Sequence, residues 1–105
     1  MFKILKIRGE SLTPEYNQGD YILVITHSHT IARLKPGDVI VFQHPVYGTM
    51  VKRVEQIDPQ AQEIFVVGTH PQSLDSRQFG PIPRHWVTGK AIWHIANRDG
   101  SNRAS

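Results

Sequence analysis

Two residues of the chain, Ser11 and Lys52, have the side chains and the surroundings that nucleophilic catalysis needs. Ser11 lies in the segment Gly-Glu-Ser-Leu-Thr-Pro at residues 9–14, between an alternating apolar run and a turn-forming stretch. Lys52 lies inside the run Thr-Met-Val-Lys-Arg-Val at residues 49–54. A serine hydroxyl beside a lysine that has lost its proton makes a nucleophile and its general base. The sequence therefore predicts acyl transfer if the two side chains meet.

The surroundings of Lys52 favour a neutral amine. If residues 49–57 form a strand, Lys52 shares a face with Met50 and Val54, and loss of water lowers the pKa of an ammonium. Lowering a lysine pKa from about 10.4 to about 7 requires roughly 4–5 kcal/mol, which full burial can supply. The open alternative is that Lys52 runs along a sheet edge and places its amine in water.

Ser11 also has two interpretations. A serine in this position commonly caps a helical turn, with Gly9 present only for the bend. In the functional interpretation, Gly9 lets a peptide backbone approach closely and the Ser11 amide faces a developing oxyanion.

The elements that position these residues are predicted to be strands. Six runs are rich in Val and Ile or alternate between apolar and polar residues, and Gly, Pro and Asp separate them. They span residues 2–8, 20–26, 38–44, 49–57, 63–67 and 86–95. The second and third runs are typical of strands buried on both faces. No segment has a convincing helical period, and residues 13–18 make at most one turn. We expect an all-β, mostly antiparallel sheet, rolled or partly barrel-like.

The chain length and composition limit the possible functions. With 105 residues, we expect one catalytic β domain at residues 1–96 and a disordered tail at 97–105. The absence of cysteine excludes disulfides and thiol chemistry. The net charge of +3 is dispersed along the chain and does not by itself indicate nucleic-acid binding, so we expect no nucleic-acid partner. No run approaches the ~18 apolar residues of a membrane span. We expect a cytoplasmic protein with no integral membrane segment.

The six histidines invite two other kinds of site. His27 and His29 would share a face if their segment were extended, but no third ligand is evident, so we predict no metal and no cofactor. A Ser-His-Asp triad that uses His70 or His85 is an alternative, because the long polar segment at residues 68–85 could fold over Ser11.

Four sequence blocks, in order, resemble those of the serine–lysine endopeptidases of the signal peptidase I superfamily. The first is the Ser11 segment followed by Gly-Asp at 19–20. The second is Pro-Gly-Asp-Val-Ile-Val-Phe at 36–42, the third is Lys-Arg-Val at 52–54, and the fourth is Ser-Leu-Asp-Ser-Arg-Gln-Phe-Gly at 73–80, followed by Gly-Lys-Ala at 89–91. The resemblance implies the fold that signal peptidases share with the catalytic domains of self-cleaving repressors.

The resemblance also implies a role for each matching residue. Ser11 would be the nucleophile and Lys52 its general base. Ser73 would orient the lysine, and Asp75 and Arg77 would form a supporting ion pair. Two departures stand out. Leu12 replaces a methionine, and Thr69-His70 replaces an Asp-Asn pair, which removes a carboxylate near Asp75.

Residues 75–84 are similar to a short soluble branch of that superfamily, the maturation proteases of nickel-type superoxide dismutase. By this resemblance, the partner is a protein substrate with an N-terminal propeptide, which we expect to bind as an extended strand. The alternative function is a non-catalytic, small basic β-barrel that binds peptide or nucleic acid, with Phe42, Tyr47 and Phe79 as stacking platforms.

Overall fold

The computed structural model describes residues 1–8, 16–70 and 72–96, which form a seven-stranded antiparallel sheet with two short helices. The strands are β1 (Phe2–Lys6), β2 (Tyr21–Ile25), β3 (Val39–His44), β4 (Gly48–Asp58), β5 (Glu63–Val67), β6 (Ile82–Pro83) and β7 (Val87–Ile95). The helices are α1 (Ser28–Ala32) and α2 (Ser76–Phe79), and a 3₁₀ turn spans Arg84–Trp86. The predicted tail at residues 97–105 lies outside the described residues.

The strand order is β1-β2-β7-β3-β4-β5-β6, and every neighbouring pair is antiparallel. Because β1 and β6 are not paired with each other, the sheet remains open. The prediction of an all-β, mostly antiparallel sheet is confirmed, and the sheet is not closed into a barrel. All six predicted strands are present, although the first ends at Lys6 instead of residue 8.

Side chains from the two faces of the sheet form two core clusters. The first core cluster is Leu34, Ile40, Phe42, Val54, Ile64, Val66, Ile82 and Val87. The second core cluster is Ile7, Ile22, Val24 and Val41. Strand β3 supplies both clusters in alternation, so the prediction that it is buried on both faces is confirmed. Strand β2 is fully buried on one face only, and that prediction was wrong for residues 20–26.

The tight connection before β3 sets the alignment of β3 and β4. Gly37 has a φ of +98°, a conformation that glycine adopts without steric cost. Its N–H donates to the carbonyl of Val54 at 2.8 Å, and the Val54 N–H donates to the carbonyl of Asp38 at 2.7 Å. These bonds extend the β3–β4 pairing and so fix the register of the strand that carries Lys52.

The helices and β6 were not predicted, because elements of two to five residues are too short to show a period. Helix α1 begins after His27, whose Nδ1 accepts a hydrogen bond from the His29 N–H at 3.1 Å. The segment is therefore helical and not extended, and the rings of His27 and His29 stack on each other with centroids 5.5 Å apart. In the long segment at residues 68–85, α2, β6 and the start of the 3₁₀ turn replace the predicted loop.

Candidate active site

Lys52 is buried in the sheet, with only 4% of its surface exposed. It lies on β4 opposite Ile40 of β3, on the same face as Val54 of the first core cluster. Its Nζ donates a hydrogen bond to Ser73 Oγ at 3.1 Å. In the described part of the chain, no carboxylate oxygen lies within the 4.0 Å of Nζ that defines an ion pair. The amine is thus held by a neutral hydroxyl instead of a counter-ion.

Ser73 connects this amine to a buried carboxylate. Its side chain is 6% exposed, and its hydroxyl donates to Asp75 Oδ2 at 3.1 Å. A hydroxyl has one proton and two lone pairs, so a serine that donates to Asp75 can only accept from Lys52. The hydrogen bonds therefore run in one direction, from Lys52 through Ser73 to Asp75.

Asp75 is completely buried and accepts five hydrogen bonds. The Arg77 side chain binds both carboxylate oxygens, with Nε 3.0 Å from Oδ1 and Nη2 2.6 Å from Oδ2. The backbone N–H groups of Gly68 and Arg77 donate at 2.8 and 3.0 Å, and Ser73 is the fifth donor. Burial raises the pKa of Asp75, but hydrogen bonds from Arg77, Gly68 and Ser73 outweigh it and hold the pKa well below its ordinary value. The carboxylate therefore stays ionised.

The pKa of Lys52 is lowered from its ordinary value. Burial is the largest cause, because it removes water from the ammonium. The negative charge of Asp75 raises the pKa, and the positive charge of Arg77 lowers it. Because Asp75 is already neutralised by Arg77 and reaches Lys52 only through Ser73, it does not reverse the effect of burial. The arrangement favours a neutral amine.

Helix α2 sets the position of Asp75. The Asp75 side chain caps the helix, and its backbone N–H donates to the Gln78 side chain at 2.9 Å, which completes a capping box. Ser76 Oγ accepts a hydrogen bond from the Val66 N–H at 2.9 Å, which ties the helix to β5. Gly80, with a φ of +83°, ends the helix. The segment from 75 to 80 thus contains both the carboxylate and the short helix that holds it in place.

The structure brings together four of the sequence-predicted site residues, in the order Lys52, Ser73, Asp75 and Arg77. Ser11 and Gly9 lie outside the described residues. The chain on either side of them is held in place, since the Gly19 N–H donates to the carbonyl of Ile7 at 2.9 Å. Sequence reasoning missed Gly68, whose N–H binds the carboxylate. The only signal for Gly68 was its place at the start of the departing Gly-Thr-His segment.

The histidines that were considered as an alternative base or as metal ligands do not form such a site in the described part of the chain. His85 is exposed in the 3₁₀ turn beside the start of β5, whereas Lys52 lies level with the end of β5. His70 uses its Nδ1 to accept a hydrogen bond from the Gln72 N–H at 3.1 Å. A histidine–aspartate pair that was not predicted joins His94 Nε2 to buried Asp20 at 2.7 Å. Within residues 1–8, 16–70 and 72–96, no group of three potential metal ligands is found.

The aromatic side chains proposed as stacking platforms fall into two groups. Phe42 is fully buried in the first core cluster, so its role as a platform was wrong. Tyr47 is 49% exposed, and its ring packs against those of His44 and Phe79, with centroids 4.7 and 6.1 Å apart. These rings pack on one another at the β3–β4 turn and do not form an open row.

Comparison with known proteins identifies one family. The model of the signal peptidase family, peptidase S26, matches residues 1–60 and 55–96, which together span nearly the whole chain. No curated protein matches the chain. Among the helices that the structure describes, none is long and apolar enough to cross a membrane. By this match, the chain belongs to the signal peptidase family, peptidase S26, and is a signal-peptidase-like serine peptidase.

Proposed function

We propose that this protein is a serine endopeptidase that uses Ser11 as its nucleophile and Lys52 as its general base. The observation that supports this most strongly is the environment of Lys52. Its amine is buried, its pKa is lowered, and its hydrogen-bond partner is a hydroxyl instead of a carboxylate. A buried lysine without a counter-ion is costly to keep charged, so its neutral form is favoured. Groups with pKa values shifted in this way are concentrated at catalytic sites.

The direction of the hydrogen bonds supports a specific role for Ser73. A neutral amine has two N–H groups and one lone pair. Because Ser73 gives its proton to Asp75, it accepts one N–H of Lys52 and does not occupy the lone pair. The lone pair stays available to accept the proton of the Ser11 hydroxyl. Ser73 thus acts as a positioning residue, and the ion pair of Asp75 and Arg77 holds Ser73 in place.

The reaction follows in two stages. Neutral Lys52 takes the Ser11 proton while Ser11 Oγ forms a bond to the scissile carbonyl carbon, and the Ser11 amide binds the oxyanion next to the close backbone approach at Gly9. The lysine then gives its proton to the leaving amine as the peptide bond breaks. In the second stage, Lys52 takes a proton from a water molecule that attacks the acyl-enzyme, and Ser11 leaves with that proton.

The substrate that we propose is the N-terminal propeptide of a protein precursor, bound as an extended strand. The similarity of residues 75–84 to the maturation proteases of nickel-type superoxide dismutase supports such a precursor as the target. In this proposal the enzyme is cytoplasmic and needs neither metal nor cofactor, since the amine and the hydroxyl supply all the proton transfers.

The proposed function is tested by incubating the purified protein with a nickel-type superoxide dismutase precursor and identifying the new N-terminus by mass spectrometry. Ser11→Ala and Lys52→Ala are each expected to abolish cleavage. Lys90→Ala is the matched control, because Lys90 also pairs with Ile40 but has an ion pair with Asp38. Normal turnover by either dyad variant would rule out the dyad. If the enzyme left this precursor intact and cleaved only an unrelated leader-bearing protein assayed beside it, the proposed substrate would be ruled out.

A further inference from the structure

A cleft of about 500 Å³ lies between α1, the 3₁₀ turn and the start of β5. Its volume lies within the range that small organic ligands occupy in proteins. The residues that line it are Ser28, Ile31, Ala32, Gln62, Arg84, His85 and Val87. Four of these seven residues have side chains that can donate hydrogen bonds, and the other three are aliphatic. No lining residue is acidic.

Arg84 is incompletely satisfied in the wall of this cleft. Its Nη1 donates to the carbonyl of Ile31 at 3.0 Å, but its Nε is buried and has no hydrogen-bond partner in the described part of the chain. The ion pairs found among the described residues do not include Arg84. The Arg84 guanidinium thus lies in the wall of a cleft without acidic residues and has no carboxylate partner among the described residues, which favours a negatively charged acceptor bound in the cleft.

The other residues of the cleft suggest the chemistry of that acceptor. The planar guanidinium of Arg84 is a better match for a carboxylate, which has two acceptor oxygens, than for a group with one acceptor atom. It can donate two parallel hydrogen bonds to the carboxylate. The Gln62 amide and the His85 ring are further polar groups on the same wall. Ile31 and Val87 provide an apolar surface beside them, which favours a ligand with a short hydrocarbon part over a bare inorganic anion.

The cleft is separate from the proposed catalytic centre. Gln62 directly precedes β5, and its carbonyl accepts the Arg84 N–H at 2.9 Å. Lys52 lies level with the other end of that strand, since its neighbour Arg53 pairs with Val67. The five residues of β5 separate the two sites, which corresponds to about 17 Å at the usual rise per residue.

From this arrangement we propose that the cleft binds a carboxylate that carries a small aliphatic group. The C-terminal residue of a peptide and a short fatty acid both have this chemistry. The carboxylate satisfies the Arg84 guanidinium, and the hydrocarbon packs against Ile31 and Val87. Binding here does not require Ser11 or Lys52.

The test is a titration of the full-length ¹⁵N-labelled protein followed by NMR, with N-acetyl-leucine as the peptide-terminus probe and hexanoate as the fatty-acid probe. N-acetyl-leucinamide and inorganic phosphate are the comparison ligands. We expect the Arg84 Nε–H signal and the Val87 amide signal to shift and saturate with at least one carboxylate. The amide and phosphate should bind at least tenfold more weakly. Tighter binding of N-acetyl-leucine would identify a peptide C-terminus as the natural ligand, and tighter binding of hexanoate would identify a fatty acid.

Two variants check that the shifts report this cleft. Arg84→Gln should weaken binding at least tenfold, while Arg33→Gln, at an exposed arginine that ends α1, should not. Because Arg84→Gln could disturb folding, Ala32→Phe is a second variant that fills the cleft and leaves the guanidinium intact. Equal binding of acid and amide, equal binding of phosphate, no saturable shift, or full binding by both cleft variants would overturn the proposal.

Discussion

Lys52 and Lys90 lie on either side of Ile40 in the sheet, yet their amines have opposite surroundings. Lys90 is 24% exposed, and its Nζ lies 3.6 Å from Asp38 Oδ1. Lys52 is 4% exposed and contacts a serine hydroxyl. Lys90, which lies across strand β3 from Lys52, therefore serves as an internal control for the proposed role of Lys52.

The first prediction concerns the pH dependence of cleavage. Because the pKa of Lys52 is lowered, chiefly by burial, kcat/KM should rise with pH and level off below the ordinary lysine pKa of 10.5. A pH–rate profile with a fluorogenic peptide that spans the cleavage site measures this limb. A limb centred at 10.5 or above would contradict a desolvated base.

The second prediction separates the two buried serines of the segment around Asp75. Ser73→Ala removes the acceptor that holds the Lys52 amine, so kcat should fall about 10- to 100-fold with little change in KM. Ser76→Ala removes the acceptor for the Val66 N–H and should lower stability by about 1–3 kcal/mol, but should leave kcat nearly unchanged. Steady-state kinetics and urea unfolding of both variants measure the difference. Equal effects on kcat would mean that Ser73 is only structural.

The third prediction concerns stability at position 52. Lys52→Met replaces a buried amine by an apolar side chain of similar length, and should be neutral or stabilising by about 1–4 kcal/mol. The native chain binds fewer protons at Lys52 than the unfolded chain between the lowered pKa and 10.5, so wild-type stability rises with pH across that window. The gain from Lys52→Met should therefore be largest at the acidic end.

Thermal unfolding at several pH values tests this, with Lys90→Met as the control. Lys90→Met removes an ion pair and should give no stability gain. If Lys52→Met lowered the melting temperature markedly at every pH, the amine would be contributing to stability through its charge.

The fourth prediction concerns acid. The pKa of Asp75 is lower in the folded protein than its usual value of 3.8, so its contribution to stability is complete above that pH and is lost as the pH falls through and below 3.8. Asp75→Asn should lower stability by about 1–3 kcal/mol at neutral pH, because it removes the charged acceptor of the buried hydrogen bonds from Gly68 and Ser73, and the cost should shrink in acid. Urea unfolding at pH 2 to 7 measures both. A cost that does not depend on pH would show that the carboxylate is not ionised.

The strands were predictable because alternation and β-branched runs are visible within six or seven residues. Even so, the pattern did not reveal which faces are covered. Phe2 and Ile4 alternate like core residues, yet they are 59% and 63% exposed, because β1 is the sheet edge and, in the described part of the chain, no element covers that face. Whether a strand face is covered depends on contacts between residues that are far apart in sequence, and local periodicity carries no information about such contacts.

The candidate site was only partly predictable. The burial of Lys52 could not be separated from a lysine that reaches water, since the result depends on Ser73 and Asp75, which are more than 20 positions away. The capping box of Asp75 and Gln78 was visible in the sequence as a start signal, but helix α2 was missed because it has only four residues. The contacts of Gly68 depend on the β5–α2 connection, and no residue pattern encodes it.

Helix α2 is short, yet three of its four side chains have separate tasks. Ser76 fastens the helix to β5, Arg77 neutralises Asp75, and Gln78 completes the cap. Local fraying of this single turn would admit solvent to Asp75 and release Ser73, and hydration of the Lys52 amine would raise its pKa back toward the ordinary value. Heating should therefore inactivate the enzyme before the sheet unfolds, so that the temperature of inactivation lies below that of global unfolding.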